Sequence, residues 1–280
     1  MSHDFEREAS AAASDSSLLS RTSAKLLASR GVHDLVVVAQ AKEWYRRGVL
    51  LWEQERYVEA VECFARGLQA DPNDTALQFY LGLAYYHGRG TRQDYRRAAA
   101  WWRRAANQGN AQAQNNLGRC YEAGDGVEAH YADAVFWYLR AASQNHPTAQ
   151  YNLGVMYEFG RGVAQDLAEA FRLYELSAQQ GYAPAQYNLG GMLRSGLGAK
   201  QDFARAASWY RKAAQRNHAT AQFNLGVMYE RGDGVSADLS RAIFWYRRAM
   251  ENGDESARQA LADALKKMDR SLRSCSENAG

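Results

Sequence analysis

The sequence predicts an all-α fold, an α/α solenoid in which helical hairpins stack into a right-handed superhelix. The first observation behind this prediction is a repeat. Leu-Gly recurs five times at intervals of 36 residues, from Leu81 to Gly226. The second is a Gly-x-Gly break at one fixed offset, which divides every copy into two helical stretches. A lone hairpin cannot bury both of its faces, so the copies must stack on one another.

The five copies, counted here as the first to fifth 36-residue repeats, follow one another without insertion or deletion. They span residues 75–110, 111–146, 147–182, 183–218 and 219–254. In four of them the second helix starts behind an Asp suited to an N-cap, namely Asp94, Asp166, Asp202 and Asp238, and the second repeat has His130 there. Each second helix ends at a residue suited to a left-handed C′ position: Gly109, Asn145, Gly181, Asn217 and Gly253.

The segment before these copies is a different repeat of 34 residues, from Ala41 to Asp74. It carries Trp, Gly, Ala, Phe and Pro at its positions 4, 8, 20, 24 and 32. This pattern strongly resembles a tetratricopeptide repeat, which is a helical hairpin.

The 36-residue copies resemble the Sel1-like repeat, a related α/α family, through the pattern A-Q-[YF]-N-L-G-x-M-Y-x-x-G-x-G-V. The third repeat shows the pattern most fully, from Ala149 to Val163. The fourth repeat departs from it, because Leu193 replaces the Tyr and Ala199 replaces the Val. Together the two resemblances cover residues 41–254.

The flanking segments complete the predicted organisation. Residues 1–32 are expected to be a disordered N-terminal tail, and residues 33–74 hold the tetratricopeptide repeat with its lead-in. Residues 75–254 hold five Sel1-like repeats. Residues 255–280 are expected to form a capping helix, over Glu255–Met268, followed by a tail.

Helical spacing places positions 4, 7, 8 and 11 of each first helix on a packed side and positions 2, 6, 9 and 13 opposite. In the families that the chain resembles, first helices line a concave groove, so the second set is the candidate partner surface. Position 6 carries an Asn in four repeats and Tyr80 in the first. These asparagines are Asn116, Asn152, Asn188 and Asn224.

An Asn side chain offers a donor and an acceptor, which suits pairing with a peptide backbone, and tetratricopeptide grooves use first-helix asparagines in this way. The alternative is that each Asn hydrogen-bonds a neighbouring hairpin. Arg119, Phe159 and Arg231 at positions 9 and 13 would set specificity. Phe159 could equally pack on its neighbour. The glutamines at position 4, in contrast, are expected to satisfy polar groups between helices.

Charge and motifs exclude several function classes. The first and fourth repeats each carry six basic residues against one Asp, so their outer faces could grip an acidic partner or simply be solvated. A net charge of +3, with aromatic residues turned to the packed side, argues against a nucleic-acid partner. No catalytic triad or metal motif is present, and the spacing of Cys63, Cys120 and Cys275 matches no zinc pattern.

The sequence therefore predicts a non-catalytic scaffold that binds a protein or peptide in its groove, with no cofactor and no metal. It has no apolar run long enough to cross a membrane and no secretory signal, so a cytoplasmic location is expected. One alternative is an exported envelope or host-interaction factor. A less favoured one, from resemblance to cysteine-rich secreted Sel1-like proteins, is a cell-wall or β-lactam-related enzyme. Partner and oligomeric state stay open.

Overall fold

The computed structural model describes residue 37 and residues 39–277, with side chains as far as residue 271. Within these residues every regular element is an α-helix. The helices are α1 (39–53), α2 (Tyr57–Ala70), α3 (Thr75–His87), α4 (Tyr95–Asn107), α5 (Ala111–Ala123), α6 (Tyr131–Ser143), α7 (Pro147–Phe159), α8 (Leu167–Gln179), α9 (Ala183–Ser195), α10 (Phe203–Gln215), α11 (Ala219–Arg231), α12 (Leu239–Glu251) and α13 (Ser256–Glu277). The predicted all-α architecture of repeated hairpins is confirmed.

The chain divides into two compact units, Met1–Gln108 and Gly109–Gly280. The described part of the first unit holds the hairpin α1/α2 of the 34-residue repeat and the hairpin α3/α4 of the first 36-residue repeat. The second unit holds the four remaining hairpins and α13. The predicted tail at residues 1–32, the lead-in as far as residue 36 and the Cys275 side chain lie outside the described part.

Within each hairpin, a glycine at position 8 of the first helix receives an aromatic ring from the second helix. A Cβ placed on Gly118 would lie 2.7 Å from the ring of Tyr138, and one on Gly154 would lie 2.8 Å from the ring of Tyr174. Atoms do not approach so closely, so only glycine fits there. The close helix approach that the sequence predicts is confirmed, and the tyrosines it buries are Tyr138, Tyr174, Tyr210 and Tyr246.

The helix ends follow the predicted caps. Asp166 accepts hydrogen bonds from the backbone N–H groups of Ala168 and Glu169, and Asp94, Asp202 and Asp238 cap their helices in the same way. His130 makes no such bond; its Nδ1 lies 2.9 Å from the Asp133 carboxylate instead. The predicted left-handed positions are also confirmed, for example at Asn145, where φ is 63°.

In four of the five Gly-x-Gly turns, the second glycine does more than form a turn. A Cβ on Gly198 would overlap the carbonyl of Leu167, the first residue of the preceding second helix, and one on Gly162 would overlap the backbone of Tyr131. Gly234 meets Phe203 in the same way, and in the first unit Gly90 meets Tyr57. These turns therefore contact the backbone of the hairpin before them, which the sequence pattern did not reveal.

The helix α13 packs on α12 and covers the end of the fifth repeat, with Ala257, Leu261 and Ala264 buried. Lys267 Nζ lies 3.5 Å from Glu230 Oε1 on α11. The sequence predicted the cap but ended it at Met268. The helix continues to Glu277, because no glycine or proline interrupts it before that point.

Candidate functional site

The first helices of the second unit expose side chains at the positions assigned to a groove. Phe159 exposes 59% of its surface at the end of α7, and the Arg161 guanidinium lies 5.3 Å from the centre of its ring. Arg119 on α5 and Arg231 on α11 are exposed as well. Their contact with a partner stays a prediction.

Tyr80 has a different environment, on α3 in the first unit. Its ring is half-buried and stacks on Phe64, with 5.0 Å between the ring centroids, while Trp52 and Tyr45 meet its edges at 5.8 and 5.9 Å. Burial raises the pKa of the Tyr80 hydroxyl. Tyr80 therefore joins the two hairpins of the first unit through an aromatic cluster, and little of it faces solvent.

The four asparagines at position 6 are half-buried, and three of them contact a preceding helix. Asn152 Nδ2 donates to Asn115 Oδ1 of the previous repeat over 3.1 Å. Asn188 hydrogen-bonds the hydroxyls of Tyr151 and Tyr174. Asn224 does the same with Tyr210 of the previous repeat. These contacts favour the alternative interpretation, in which the amides link neighbouring hairpins.

The glutamines at position 4 lie on the packed side, as predicted, and are at most 3% exposed. In most repeats the last turn of the second helix donates an amide to them. The bonds run from Gln108 to Gln78 (3.0 Å), Gln144 to Gln114 (2.8 Å), Gln180 to Gln150 (2.7 Å) and Asn252 to Gln222 (3.0 Å). The fourth repeat has Arg216 at the donor position, and Gln186 Oε1 is buried there without a hydrogen-bond partner among the described residues.

Each buried tyrosine is paired with a glutamate at position 12 of its own hairpin, except in the fourth repeat. The hydroxyls of Tyr138, Tyr174 and Tyr246 donate to Glu122, Glu158 and Glu230 over 2.7, 2.6 and 2.9 Å. Burial, followed by the bonded carboxylate, raises the pKa of Tyr174 well above its ordinary value. The sequence interpretation missed these pairs, although Glu recurs in the column beside position 11.

In the fourth repeat, Arg194 occupies the position of the glutamate and is half-buried. The Tyr210 hydroxyl hydrogen-bonds only the Asn224 amide within the described residues. Burial raises the pKa of Tyr210 to about 12, and the nearby Arg194 charge opposes the rise. This repeat therefore presents a cation where its neighbours present a carboxylate.

The basic residues of the second helices are mostly exposed, as expected, but the aromatic residues beside them are not uniformly buried. Trp102 and Tyr210 are buried, whereas Trp101 and Trp209 are half-buried. The Arg104 guanidinium lies 4.7 Å from the centre of the Trp101 ring, and Lys212 Nζ lies 3.9 Å from that of Trp209. Both rings still pack against the hydrophobic core of their units, as expected, and cations cover part of their exposed surface.

The histidines at the repeat junctions and two of the cysteines have structural surroundings. His146 and His218 cap α7 and α11, accepting from the backbone N–H groups of Ala149 and Ala221 over 3.3 and 3.2 Å. Cys63 and Cys120 are buried. Across the described residues, no three His, Cys, Asp or Glu side chains come together to hold a metal ion. No helix there is long and apolar enough to cross a membrane.

Comparison with known proteins gives the same repeat boundaries as the sequence pattern. The Sel1 repeat model matches residues 75–110, 111–146, 147–182, 183–218 and 219–254. The tetratricopeptide repeat model matches residues 41–74. None of the curated proteins matches the chain significantly.

Two solved structures are just over 30% identical to this chain in the aligned region. A protective antigen of uropathogenic Escherichia coli with an SLR fold is 32% identical, with a TM-score of 0.75 over 81% of this chain. The match spans about half, 49%, of the antigen's own length. A Sel1 repeat protein from Oxalobacter formigenes is 31% identical, with a TM-score of 0.71, and the match covers 78% of this chain and 86% of that one.

A third structure, an immunity protein from Pseudomonas aeruginosa, is 21% identical with a TM-score of 0.50. The match covers 77% of this chain and 83% of that chain, and it shows likeness of fold alone.

Proposed function

The chain belongs to the Sel1 repeat family, and from this premise we propose that it is a non-catalytic scaffold that binds a partner protein or peptide through its first helices. Sel1 and tetratricopeptide repeat proteins generally mediate protein–protein interactions. We do not favour the alternatives, which are an exported envelope or host-interaction factor and a cell-wall or β-lactam-related enzyme.

The proposal is carried by one contrast within the first helices of the second unit. The packed columns are nearly constant, with Gln, Leu and Gly at positions 4, 7 and 8 of every repeat. The outward positions 9 and 13, in contrast, hold basic, apolar and small residues in different repeats. Position 9 holds Arg119, Val155, Gly191 and Val227, and position 13 holds Ala123, Phe159, Ser195 and Arg231. A constant core under a varied surface suits a fold that presents a specific recognition surface.

The residues of this surface have different proposed roles. Phe159 is the apolar anchor, because an aromatic side chain that loses this much exposed area on binding contributes strongly to affinity. Arg119 and Arg231 supply positive charges in the repeats before and after Phe159 in the sequence. We assign the asparagines at position 6 to holding neighbouring hairpins together beneath this surface, because of the hydrogen bonds described above.

The test compares two exposed phenylalanines that differ in the face they occupy. Phe159→Ala removes the anchor on a first helix. Phe136→Ala removes a ring on the second helix α6 that is 48% exposed and also lies under an arginine, Arg140, at 5.0 Å. Proteins captured from a lysate of the source cells by the wild-type chain are identified, purified and titrated against both variants.

We expect Phe159→Ala to weaken binding of the purified partner by about tenfold or more, which corresponds to roughly 1.4 kcal/mol, and Phe136→Ala to leave it unchanged. Equal affinity for the two variants would contradict the assignment of the surface. Recovery of nucleic acid or a small molecule alone would contradict the scaffold function.

A further inference from the structure

The fourth repeat differs from its neighbours at one point of the first-helix surface. Arg194 replaces the glutamate that pairs with the buried tyrosine in the second, third and fifth repeats. Arg194 forms no ion pair with any residue that the structure describes. Among the described residues, the Tyr210 hydroxyl accepts from Asn224 and meets no carboxylate, so its own proton is available for donation.

A glycine leaves space beside this pair of donors. Outside the backbone of its own helix, a Cβ placed on Gly191 would have only the Tyr210 hydroxyl within 4 Å, at 3.6 Å, among the described residues. The corresponding residues of the third and fifth repeats are Val155 and Val227. The fourth repeat therefore has a notch on its first helix, next to the hydroxyl of Tyr210, whose side chain is 1% exposed.

The net charge of the fourth repeat favours an anion. The fourth repeat carries six basic residues and a single acidic one, Asp202. Of the six, Arg205 is paired, with Glu175 of the third repeat at 3.1 Å. An arginine without a counter-ion beside a hydroxyl donor is the arrangement that binds a carboxylate through charge-assisted hydrogen bonds.

We propose that Arg194 and the Tyr210 hydroxyl, at the notch left by Gly191, bind the carboxylate of an Asp or Glu side chain from the partner polypeptide. That carboxylate takes the place that Glu158 holds beside Tyr174 in the third repeat. The guanidinium supplies two N–H donors and the tyrosine supplies one O–H donor. The inference rests on the proposed scaffold function, and it assigns the chemistry of one recognition point on the same surface.

The test uses the full chain and a small probe, N-acetylglutamyl-N-methylamide, with N-acetylglutaminyl-N-methylamide as the neutral control. Binding is followed by NMR from the side-chain N–H signals of Arg194 and Asn224. We expect both signals to shift saturably with the glutamate probe and to stay unchanged with the glutamine probe. Equal shifts with both probes, or no saturable shift, would overturn the proposal.

Three variants separate binding from folding. Arg194→Glu recreates the tyrosine–glutamate pair of the third repeat, so it should keep or raise the melting temperature while it abolishes the response at Asn224. Gly191→Val should fill the notch and weaken binding of the glutamate probe by roughly tenfold or more. Arg140→Gln, on the outer face of α6, should change nothing. If the Arg194→Glu variant still bound the glutamate probe, the proposed carboxylate site would be wrong.

The outcomes also distinguish this proposal from the scaffold function. A captured partner whose affinity is unaffected by Arg194→Glu would remove the carboxylate site and leave the scaffold function intact. Selective binding of the glutamate probe without any captured protein would support the site and count against the scaffold function.

Discussion

The third and fourth Sel1 repeats, Pro147–Tyr182 and Ala183–His218, have helices of equal length, 13 residues each, yet they satisfy their buried polar groups differently. In the third repeat Tyr174 donates to Glu158 and Gln150 accepts from Gln180. In the fourth, arginines occupy both partner positions, and neither bond is made.

The comparison shows which contacts hold a repeat together. The fourth repeat keeps the glycine at position 8, the leucine at position 7 and the buried tyrosine, and its helices begin and end where those of the third repeat do. Apolar packing and close helix approach therefore suffice for the hairpin. The polar pairs add stability without deciding the fold, so their columns are free to take on recognition.

The largest expected effect should be the same in both repeats. Gly154→Val and Gly190→Val would drive a side chain into the rings of Tyr174 and Tyr210, which lie 2.8 and 2.9 Å from the added Cβ. Each should lower the free energy of unfolding by about 3 kcal/mol, measured by urea denaturation and circular dichroism.

The matched control for this prediction is Gly191→Ala, one residue away on the same helix. Its added Cβ meets only a hydroxyl at 3.6 Å, so the variant should be more stable by about 0.5–1 kcal/mol through helix propensity. A large loss at Gly191, or none at Gly190, would contradict the packing described here.

The next largest effect should differ between the third and the fourth repeat. Tyr174→Phe leaves Glu158 without its donor and removes one of the two acceptors of Asn188, so it should cost about 1.5 kcal/mol. Tyr210→Phe removes one neutral bond to Asn224 and should cost about 0.5 kcal/mol. Urea midpoints that fall equally in the two variants would show that the glutamate pair adds nothing.

A smaller effect is expected from restoring the missing hydrogen bond to Gln186 in the fourth repeat. Arg216→Gln places an amide donor near Gln186 Oε1, as Gln180 does for Gln150, and should raise stability by about 1 kcal/mol. The reverse change in the third repeat, Gln180→Arg, should lower stability by a similar amount. If both variants melt like the wild type, the buried oxygen of Gln186 carries no penalty.

The smallest effect should depend on pH, and it is expected for the third repeat but not for the fourth. Its first helix is capped by His146, whose pKa is lowered by burial, whereas Tyr182 makes no side-chain cap bond for the fourth. The depressed pKa means that the stabilisation is complete above the ordinary histidine value of about 6.5 and is lost as the pH falls below it.

His146→Asn keeps a capping acceptor, as Asn110 does for α5, but cannot be protonated in this range. Between neutral pH and pH 5, His146→Asn should therefore lose less unfolding free energy than the wild type does. The expected difference is below about 1 kcal/mol and is measured from thermal midpoints at the two pH values. An unchanged acid slope would mean that the histidine cap does not titrate on unfolding. His218 supplies a residual slope in either case.

The sequence predicted what depends on local periodicity. The glycine columns, the aspartate caps and the 36-residue spacing determine where helices begin and end, so the hairpins were predictable. The tyrosine–glutamate pairs were not, because Tyr174 and Glu158 lie on different helices and meet only after those helices pack. The contacts of Asn152 and Asn188 were left open for the same reason. The exposure of Trp101 depends on how far neighbouring second helices cover it, which no periodicity encodes.

The glycine that ends a Gly-x-Gly turn gives neighbouring repeats a docking contact that does not depend on side chains. Gly162 and Gly198 meet the preceding hairpin through backbone atoms, so this contact is the same whatever outward residues a repeat carries. A duplicated or transplanted module would dock in the same register and bring its own outward residues with it. Lengthening such a chain by whole repeats is therefore a route to new binding preferences that leaves these backbone contacts between neighbours unchanged.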